Sequence, residues 1–381
     1  MRRVVSTEPI PIKLWLDDIE DGALQQARNL ANLPFVHKWV AIMPDSHQGY
    51  GMPIGGVLAT KGVIIPNAVG VDIGCGMGAV QTSIRGIDAE ALKDIMGRVR
   101  EAVPVGFNHH KEAQAWEGFD RAPDLPIIRQ ELQSARMQLG TLGGGNHFIE
   151  FQADENGNFW VMLHSGSRNF GLKVAKVYHR EAQALCERWY TQLPDKDLAF
   201  LPVDDPYGQE YLAAMSYCLE FAQASRDHMM STILGIVGEV AGGQEMRRVN
   251  IHHNYAAMEN HYGENVWVHR KGATRVRAGE AGIIPGSMGT SSYIVEGLGN
   301  PESFCSCSHG AGRRLGRKEA GRVLDLAEEQ AKMNGIIHGL RNASDIDEAP
   351  GAYKDIDVVM ANQSDLVNIT TRLHPLGSIK S

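Results

Sequence analysis

The sequence predicts an α+β fold in one large domain spanning residues 1–381, with mixed sheets surrounded by helices. Three observations carry that expectation. Apolar runs of strand length alternate with amphipathic stretches of helix length. No linker, low-complexity tract or internal repeat divides the chain. The chemically suggestive residues are scattered from position 45 to position 309, so a single site has to be assembled from loops distant in sequence.

In chain order, residues 17–33 read as a helix with Asp17 or Asp18 as N-cap and Pro34 just beyond its end. Strand-length runs follow at 35–43 and 55–66, separated by the Gly- and Pro-rich PDSHQGYGMP. Residues 88–102 and 124–139 have helical periodicity. The segments HFIEFQ and FWVMLHS flank Asn156-Gly157, a pair that tolerates the positive φ angles of a type I′ hairpin turn. Helices are expected at 171–190 and 208–235, short strands between 265 and 296, and a further helix at 317–333.

Composition limits the function classes. A hydrophobic content of 43% excludes disorder, and no stretch approaches the ~18–20 apolar residues of a membrane helix. The start, MRRVVSTEPIPIKLWL, lacks an apolar signal core, so a soluble cytoplasmic protein is expected. The 37 basic and 45 acidic residues give a net charge of −8, which argues against nonspecific coating of nucleic acid and leaves room only for a local basic groove. Five cysteines are too few and too irregular for a disulfide framework, so any important one is more readily a ligand than a staple. The 42 glycines exceed the usual ~7% and gather at 70–78, 140–145 and 310–316, with several of the 15 histidines beside them.

The first cluster, VGVDIGCGMGA, sets Asp72 and Cys75 three residues apart among glycines that let the backbone fold tightly around one ion. Three polar settings hold histidines: His147 in TLGGGNHFIE, His164 in VMLHSGSRNFG, and His252-His253 in RRVNIHHNYA. Taken singly, the glycine turn would bury a cysteine and each histidine would pack or hydrogen-bond. Together they make a divalent metal centre with hard and soft ligands. Residue types alone do not identify the ion, because ligand softness and the Irving–Williams order favour Zn²⁺ over Mn²⁺.

Two further segments suit phosphate. IIPGSMGTSSY offers N–H groups at Gly286 and Gly289 and hydroxyls at Ser287, Thr290, Ser291 and Ser292, and SGSR adds the planar fork of Arg168. A surface turn is the plain alternative for the first. In FCSCSHGAGRRLGR, an extended 305–309 would put Cys305, Cys307 and His309 on one side. C-x-C-x-H is too compressed for the usual zinc knuckle, and a histidine nucleophile attacking phosphorus is the sharper reading. Arg313, Arg314 and Arg317 could then hold phosphates of a second substrate, with a solvated basic helix start as the ordinary alternative.

MPDSHQGYG, VGVDIGCGMGA, LGGGNHFIE, LHSGSR, HHNYA, PGSMGTSSY and CSHGAGR resemble, in the same order and over nearly the whole chain, the RtcB family of RNA ligases. The resemblance implies a central cleft for metal and GTP, and the joining of RNA 3′-phosphate or 2′,3′-cyclic phosphate ends to 5′-hydroxyl ends with GTP and two Mn²⁺ ions. It assigns Asp72, Cys75, His147, His164 and His253 to the metals, with Cys75 bridging, and His309 as the residue that is guanylylated. His252 is left out because the family's ligand is the histidine directly before asparagine. Implied nucleotide contacts are Asn146, His147, Phe148, Ile149, Glu150, His253, Asn254, Pro285, Gly286, Ser287, Met288, Ser292, His309, Gly310, Ala311, Gly312 and Lys380. Arg168, Arg313 and Arg317 are the implied contacts to RNA phosphate.

Asn169 stands where many relatives have Gly, and Gly316 where Ser is frequent. The resemblance further implies a monomer that serves tRNA splicing or RNA repair, with an archease-type protein as activating partner. Two other readings of the residues remain at this point: a metal-dependent phosphate hydrolase that needs no GTP, and a nucleotide- or RNA-binding module without turnover.

Overall fold

The computed structural model describes residues 1–380, with the backbone alone at 343 and 344, and has the expected α+β architecture with helices around two large sheets. Ser381, the last residue of the expected domain, lies outside the described residues. One sheet has six strands in the order Arg3–Val5, Ile12–Leu14, Val36–Tyr50, Met52–Thr60, Glu264–Lys271, Asn254–His261. It is mixed, since Ile12–Leu14 runs parallel to Val36–Tyr50. The other has seven strands in the order Glu245–His252, Gly76–Arg85, Asn158–Ser165, Phe148–Asp154, Val367–Ile379, Ser292–Gly297, Ala281–Ile284, all paired antiparallel.

The seven-stranded sheet is apolar on both faces, and each face has its own partner. Val80, Val161 and Leu163 pack against Met229, Met230, Ile233 and Val237 of the helix Pro206–Ala241. On the other face Met77, Ala79, Trp160 and Met162 meet Val249, Ile283, Ile294 and Leu373 of the same sheet, which curls until its first and last strands approach. That curl encloses a second core inside a nearly closed barrel. Trp160 is buried there, donating from Nε1 to Asp154 Oδ2 at 3.1 Å, and its truncation to Ala would cost about 3–5 kcal/mol.

Several sequence expectations need correction. The helix expected at 17–33 is Asp21–Ala31, because Asp17 is held by Arg2 and residues before Asp21 are not helical. The strand expected to end at 43 continues to Tyr50, through PDSHQGY, because it folds back on Met52–Thr60 at Gly51, whose φ is +67°. The turn after Asp154 is not type I′: Gly157 has a positive φ of +78° but Asn156 does not, and the Asp154 carboxylate accepts from the N–H groups of Asn156 and Asn158, both at 2.9 Å. The helix expected at 317–333 breaks into Arg317–Val323 and Leu326–Ala331, the second capped by Asp325 accepting from Glu328 N–H. Strands Glu245–His252 and Asn254–His261 have no sequence forecast, since charged and amide residues interrupt their apolar pattern.

Helix Pro206–Ala241 is longer than the expected 208–235, starting from an Asp205 cap and ending at Gly242 with φ +71°. Among the described residues no helix is long and apolar enough to cross a membrane.

Candidate active site

The seven-stranded sheet brings the predicted metal ligands to one end of four neighbouring strands. His253 follows Glu245–His252, Cys75 precedes Gly76–Arg85, His164 lies near the end of Asn158–Ser165, and His147 precedes Phe148–Asp154. Register makes this concrete: His252 pairs with Gly76, Gly76 with Ser165, and Phe148 with His164. Glycine is needed at Gly76, where a Cβ would sit 2.0 Å from the Ile251 carbonyl oxygen. It is needed equally at Gly166, where a Cβ would sit 2.2 Å from Asp72 Oδ2. Glycine at these positions therefore permits close approach rather than flexibility.

The side-chain atoms of the five residues expected to hold metal form a chain with Cys75 at its centre. Asp72 Oδ2 lies 3.2 Å from His147 Nε2, which lies 3.4 Å from Cys75 Sγ; that sulfur lies 3.2 Å from His164 Nε2, itself 3.3 Å from His253 Nε2. Donors ~2.1 Å from a tetrahedral ion would be spaced by about 3.4 Å, and these separations are compatible with that spacing. Among the described residues Cys75, His147 and His164 form a group able to hold a metal ion. His164 Nδ1 lies 3.0 Å from the Asn146 carbonyl, which fixes Nδ1 as the protonated nitrogen and leaves Nε2 free to ligate.

Electrostatics agrees with the ligand role. Burial, and then the neighbouring His147, lower the pKa of His164; burial, His309 and His164 lower that of His253, so both imidazoles are neutral as ligands must be. Burial alone would raise Asp72, but hydrogen bonding and charge from His147, Cys75 and Ser167 prevail and hold it at about 2. Burial and Asp72 push the Cys75 thiol well above its ordinary value, so a thiolate there calls for a cation. Arg226 lies beneath the cluster, buried, with Nη1 donating to the carbonyls of Gly74 at 2.9 Å and Ser165 at 3.0 Å. Its Nη2 lies 3.0 Å from His252 Nδ1, so that ring nitrogen of His252 is engaged by the arginine. Arg226 carried no sequence signal, because a lone arginine inside a long helix reads as a surface residue.

His309 faces the cluster, its ring 4.8 Å from that of His253. It enters from the strand Ser306–Ser308, and Asp45 Oδ2 takes its Nδ1 at 2.6 Å and its backbone N–H at 3.0 Å. Burial opposes ionisation of Asp45, but the charge and hydrogen bonds of His309 outweigh it and lower its pKa. The expected alignment of Cys305 with His309 fails: Phe304 and Cys305 have φ of +52° and +51°, so the extended run begins only at Ser306. Asp45 lies within MPDSHQGYG, but nothing in that segment signals its role, because its partner is 264 residues away.

A cavity lined by both sheets opens at His309. Asn146, Phe148, Glu150, Pro285, Gly286, Ser287, Met288, Gly310, Ala311, Gly312 and Lys380 line it, together with Arg313, Arg317 and Tyr353. A second cavity that also reaches His309 is lined by Asp72, Cys75, Asn146, His253, Asn254 and Lys271. Three of the implied nucleotide residues, His147, Ile149 and Ser292, line neither cavity. Ile149 alternates into the core with Val80, Val161 and Leu163, and Ser292 is buried, its hydroxyl accepting from Gly286 N–H at 3.2 Å.

The loop expected to offer N–H groups to phosphate satisfies them itself. Ser292 takes that of Gly286, Thr290 that of Ser287, and the Ser287 hydroxyl that of Gly289. The arginines also have partners: Arg168 donates to Thr141 Oγ1 and the Gly106 carbonyl, Arg313 pairs with Glu348, and Arg317 with Asp347 and Glu348. Asn169 adopts φ +68°, a left-handed conformation that asparagine tolerates, so it replaces glycine there without losing the turn. Gly316 caps Arg317–Val323 with nothing near its absent side chain.

A cysteine and histidine cluster able to hold a metal ion, beside a cavity lined by both sheets, defines a class of protein: a metal-dependent enzyme. The chain belongs to the RtcB family. The family model, described as tRNA-splicing ligase RtcB, matches residues 26–381. The chain is 39% identical to the RNA-splicing ligase RtcB of Escherichia coli K12 over 407 aligned residues, covering 99% of each chain. It is 32% identical to the tRNA-splicing ligase RtcB of Pyrobaculum aerophilum, covering 98% of this chain and 95% of that one. With the RNA-splicing ligase RtcB of Mycobacterium tuberculosis the identity is 33%, covering 93% of this chain and all of the relative.

Proposed function

We propose that this protein joins RNA 3′-phosphate or 2′,3′-cyclic phosphate ends to 5′-hydroxyl ends, using GTP and two Mn²⁺ ions, through a guanylylated His309. The observation that supports this most is the contact of His309 Nδ1 with Asp45 at 2.6 Å, beside five convergent ligand atoms. With Nδ1 carrying the hydrogen that Asp45 accepts, Nε2 keeps its lone pair and can attack phosphorus. Asp72 and His147 on one side and His164 and His253 on the other would hold the ions, with Cys75 shared. Bound there, the cations polarise the nucleotide phosphates and neutralise the leaving pyrophosphate.

His309 Nε2 forms a bond to the α-phosphorus of GTP as the bond to pyrophosphate breaks. Asn146, Phe148, Glu150, Pro285 to Met288, His309 to Gly312 and Lys380 line the cavity that would receive the nucleotide. His309 then yields the guanylyl group to an oxygen of the RNA 3′-phosphate. The 5′-hydroxyl oxygen attacks that phosphorus, GMP leaves, and a phosphodiester remains. Arg168, Arg313 and Arg317 are the proposed RNA-phosphate contacts, which requires exchange of their present partners. RNA from tRNA splicing or from repair of cut RNA would be the substrate, in the cytoplasm, for a single-domain monomer helped by an archease-type activator.

Incubation with α-labelled GTP and Mn²⁺, followed by denaturation and mass analysis, tests the reading. Transfer of GMP to His309 is expected. Turnover of phosphate ends without any adduct would replace it with hydrolysis by the metal cluster alone.

A further inference from the structure

The wall of the nucleotide cavity depends on a carboxylate that the proposed reaction does not use. Glu348 is 6% exposed and does not line that cavity, yet four residues that do converge on it. Its Oε1 takes Arg313 Nη1 at 3.0 Å and Arg317 Nη1 at 2.6 Å; its Oε2 takes Lys380 Nζ at 3.0 Å and the Tyr353 hydroxyl. Burial would raise its pKa, but Lys380, Arg317 and the Tyr353 hydroxyl hold it at about 2, so it is ionised at any physiological pH. It stands in the partition between this cavity and a neighbouring one, whose lining shares Met288, Arg317 and Lys380.

Glu348 matters unequally to its partners. Arg313 also donates to the carbonyls of Leu315 and Asp347, and Arg317 also pairs with the Asp347 carboxylate at 2.6 Å. Tyr353 is fixed by its own backbone, its N–H bonded to the Pro350 carbonyl. Among the described residues, Lys380 Nζ has Glu348 as its hydrogen-bond partner and no second anchor. A lysine side chain left free samples many rotamers, and that freedom would be lost on binding a ligand. A lysine already held in the wall incurs little of that loss. The alternative carboxylate near Lys380 is Glu150, which burial keeps protonated up to about 8 and which therefore attracts the lysine weakly.

We propose that Glu348 is a positioning residue of the nucleotide site, acting through Lys380: its buried carboxylate holds the lysine in the pose that receives the nucleotide. The proposal rests on the reading of the cavity as a nucleotide site. It places a specific affinity determinant outside the cavity, on the far side of its cationic wall.

The test is a double-mutant cycle read as GTP affinity with Mn²⁺ present, in a His309→Ala background so that no covalent adduct forms. Glu348→Gln is expected to weaken GTP binding about tenfold or more, and Lys380→Met by at least as much. In the presence of Lys380→Met, Glu348→Gln should add no more than about twofold. In the enzyme that keeps His309, Glu348→Gln should raise the KM for GTP while kcat at saturating GTP stays within about threefold. Should Glu348→Gln fail to fold, Glu348→Asp, which keeps the charge and shortens the reach, is measured in the same cycle with the same expectation. Equal losses with and without Lys380, or a fall in kcat together with a lowered melting temperature, would overturn the proposal. Absence of GTP binding to the His309→Ala protein itself would instead overturn the reading of the cavity.

Discussion

Asp45 Oδ2 accepts three hydrogen bonds from one short segment: His309 Nδ1 at 2.6 Å, His309 N–H at 3.0 Å and Gly310 N–H at 3.3 Å. A fully buried carboxylate thereby fixes both the backbone and the imidazole of the residue proposed to carry GMP. The ring cannot rotate without breaking the shortest of the three, so the imidazole stays packed beside the ring of His253. The same arrangement sets which nitrogen holds the proton.

Asp45→Asn follows from that relationship. An amide of nearly the same shape keeps these three contacts by placing its oxygen where Oδ2 stands, but it removes the negative charge that balances the positive charge developing on the imidazole as Nε2 bonds to phosphorus. Guanylylation should fall by about 10²–10⁴-fold, the range seen when the carboxylate orienting a histidine is replaced. Bound metal, measured by elemental analysis, should be unchanged. A rate within tenfold of the parent would show that Asp45 has only a packing role.

Cys75→Ala should abolish activity chiefly by loss of metal. Cys75 Sγ is the central atom of the ligand chain, 3.4 Å from His147 Nε2 and 3.2 Å from His164 Nε2, so its removal weakens both sides of the cluster together. Elemental analysis of the purified variant distinguishes this from a chemical role. Full metal content with lost activity would move Cys75 out of the ligand set.

Legibility in the sequence divided along the same lines. Asp72, Cys75, His147, His164 and the His252-His253 pair stood out because glycine turns and strand ends mark them locally, and the family resemblance then selected His253. The hairpin also placed His147 near His164, but the strand order that brings the rest beside them, His253, Cys75, His164, His147, differs from the order in the chain and was not readable. Asp45, Arg226 and Glu348 went unread for a related reason. Each is an ordinary charged residue whose importance comes from partners brought close only by the fold, as Arg226 shows beneath Gly74 and Ser165. Edge strand Glu245–His252 escaped because its exposed half is polar, and the arginines looked free because their carboxylate partners lie about thirty residues downstream.

Glu150 gives the protein a measurable pH response. It is buried, and burial, only partly offset by Gln152 and Lys380, raises its carboxyl from 4.5 to about 8. Between those values the folded chain holds a proton that the unfolded chain has released, so this group lowers stability progressively as pH rises from 4.5 towards 8, and no further above that. Glu150→Gln removes the titration. In the absence of nucleotide, the variant should melt higher than the parent at pH 8, with the gap closing by pH 5, in parallel thermal scans. A gap independent of pH would mean that Glu150 is already ionised in the fold.

The last prediction concerns the ends that are joined. A 3′-phosphate can accept the guanylyl group from His309 and become an activated diester end, whereas a 3′-hydroxyl cannot yield that end. The protein should therefore seal 3′-phosphate or 2′,3′-cyclic phosphate RNA to 5′-hydroxyl RNA and fail on 3′-hydroxyl with 5′-phosphate. A cyclic phosphate must first be opened by water, a step that uses the Asp72, Cys75 and histidine cluster but not the imidazole of His309. His309→Ala keeps that cluster, because the ligand separations of 3.2–3.4 Å run through Asp72, His147, Cys75, His164 and His253 without it. The variant should open the cyclic end slowly while forming no GMP adduct and no joined product, resolved by gel analysis of end-labelled RNA. Joining by His309→Ala with GTP, or efficient sealing of 5′-phosphate ends by the parent, would rule the mechanism out.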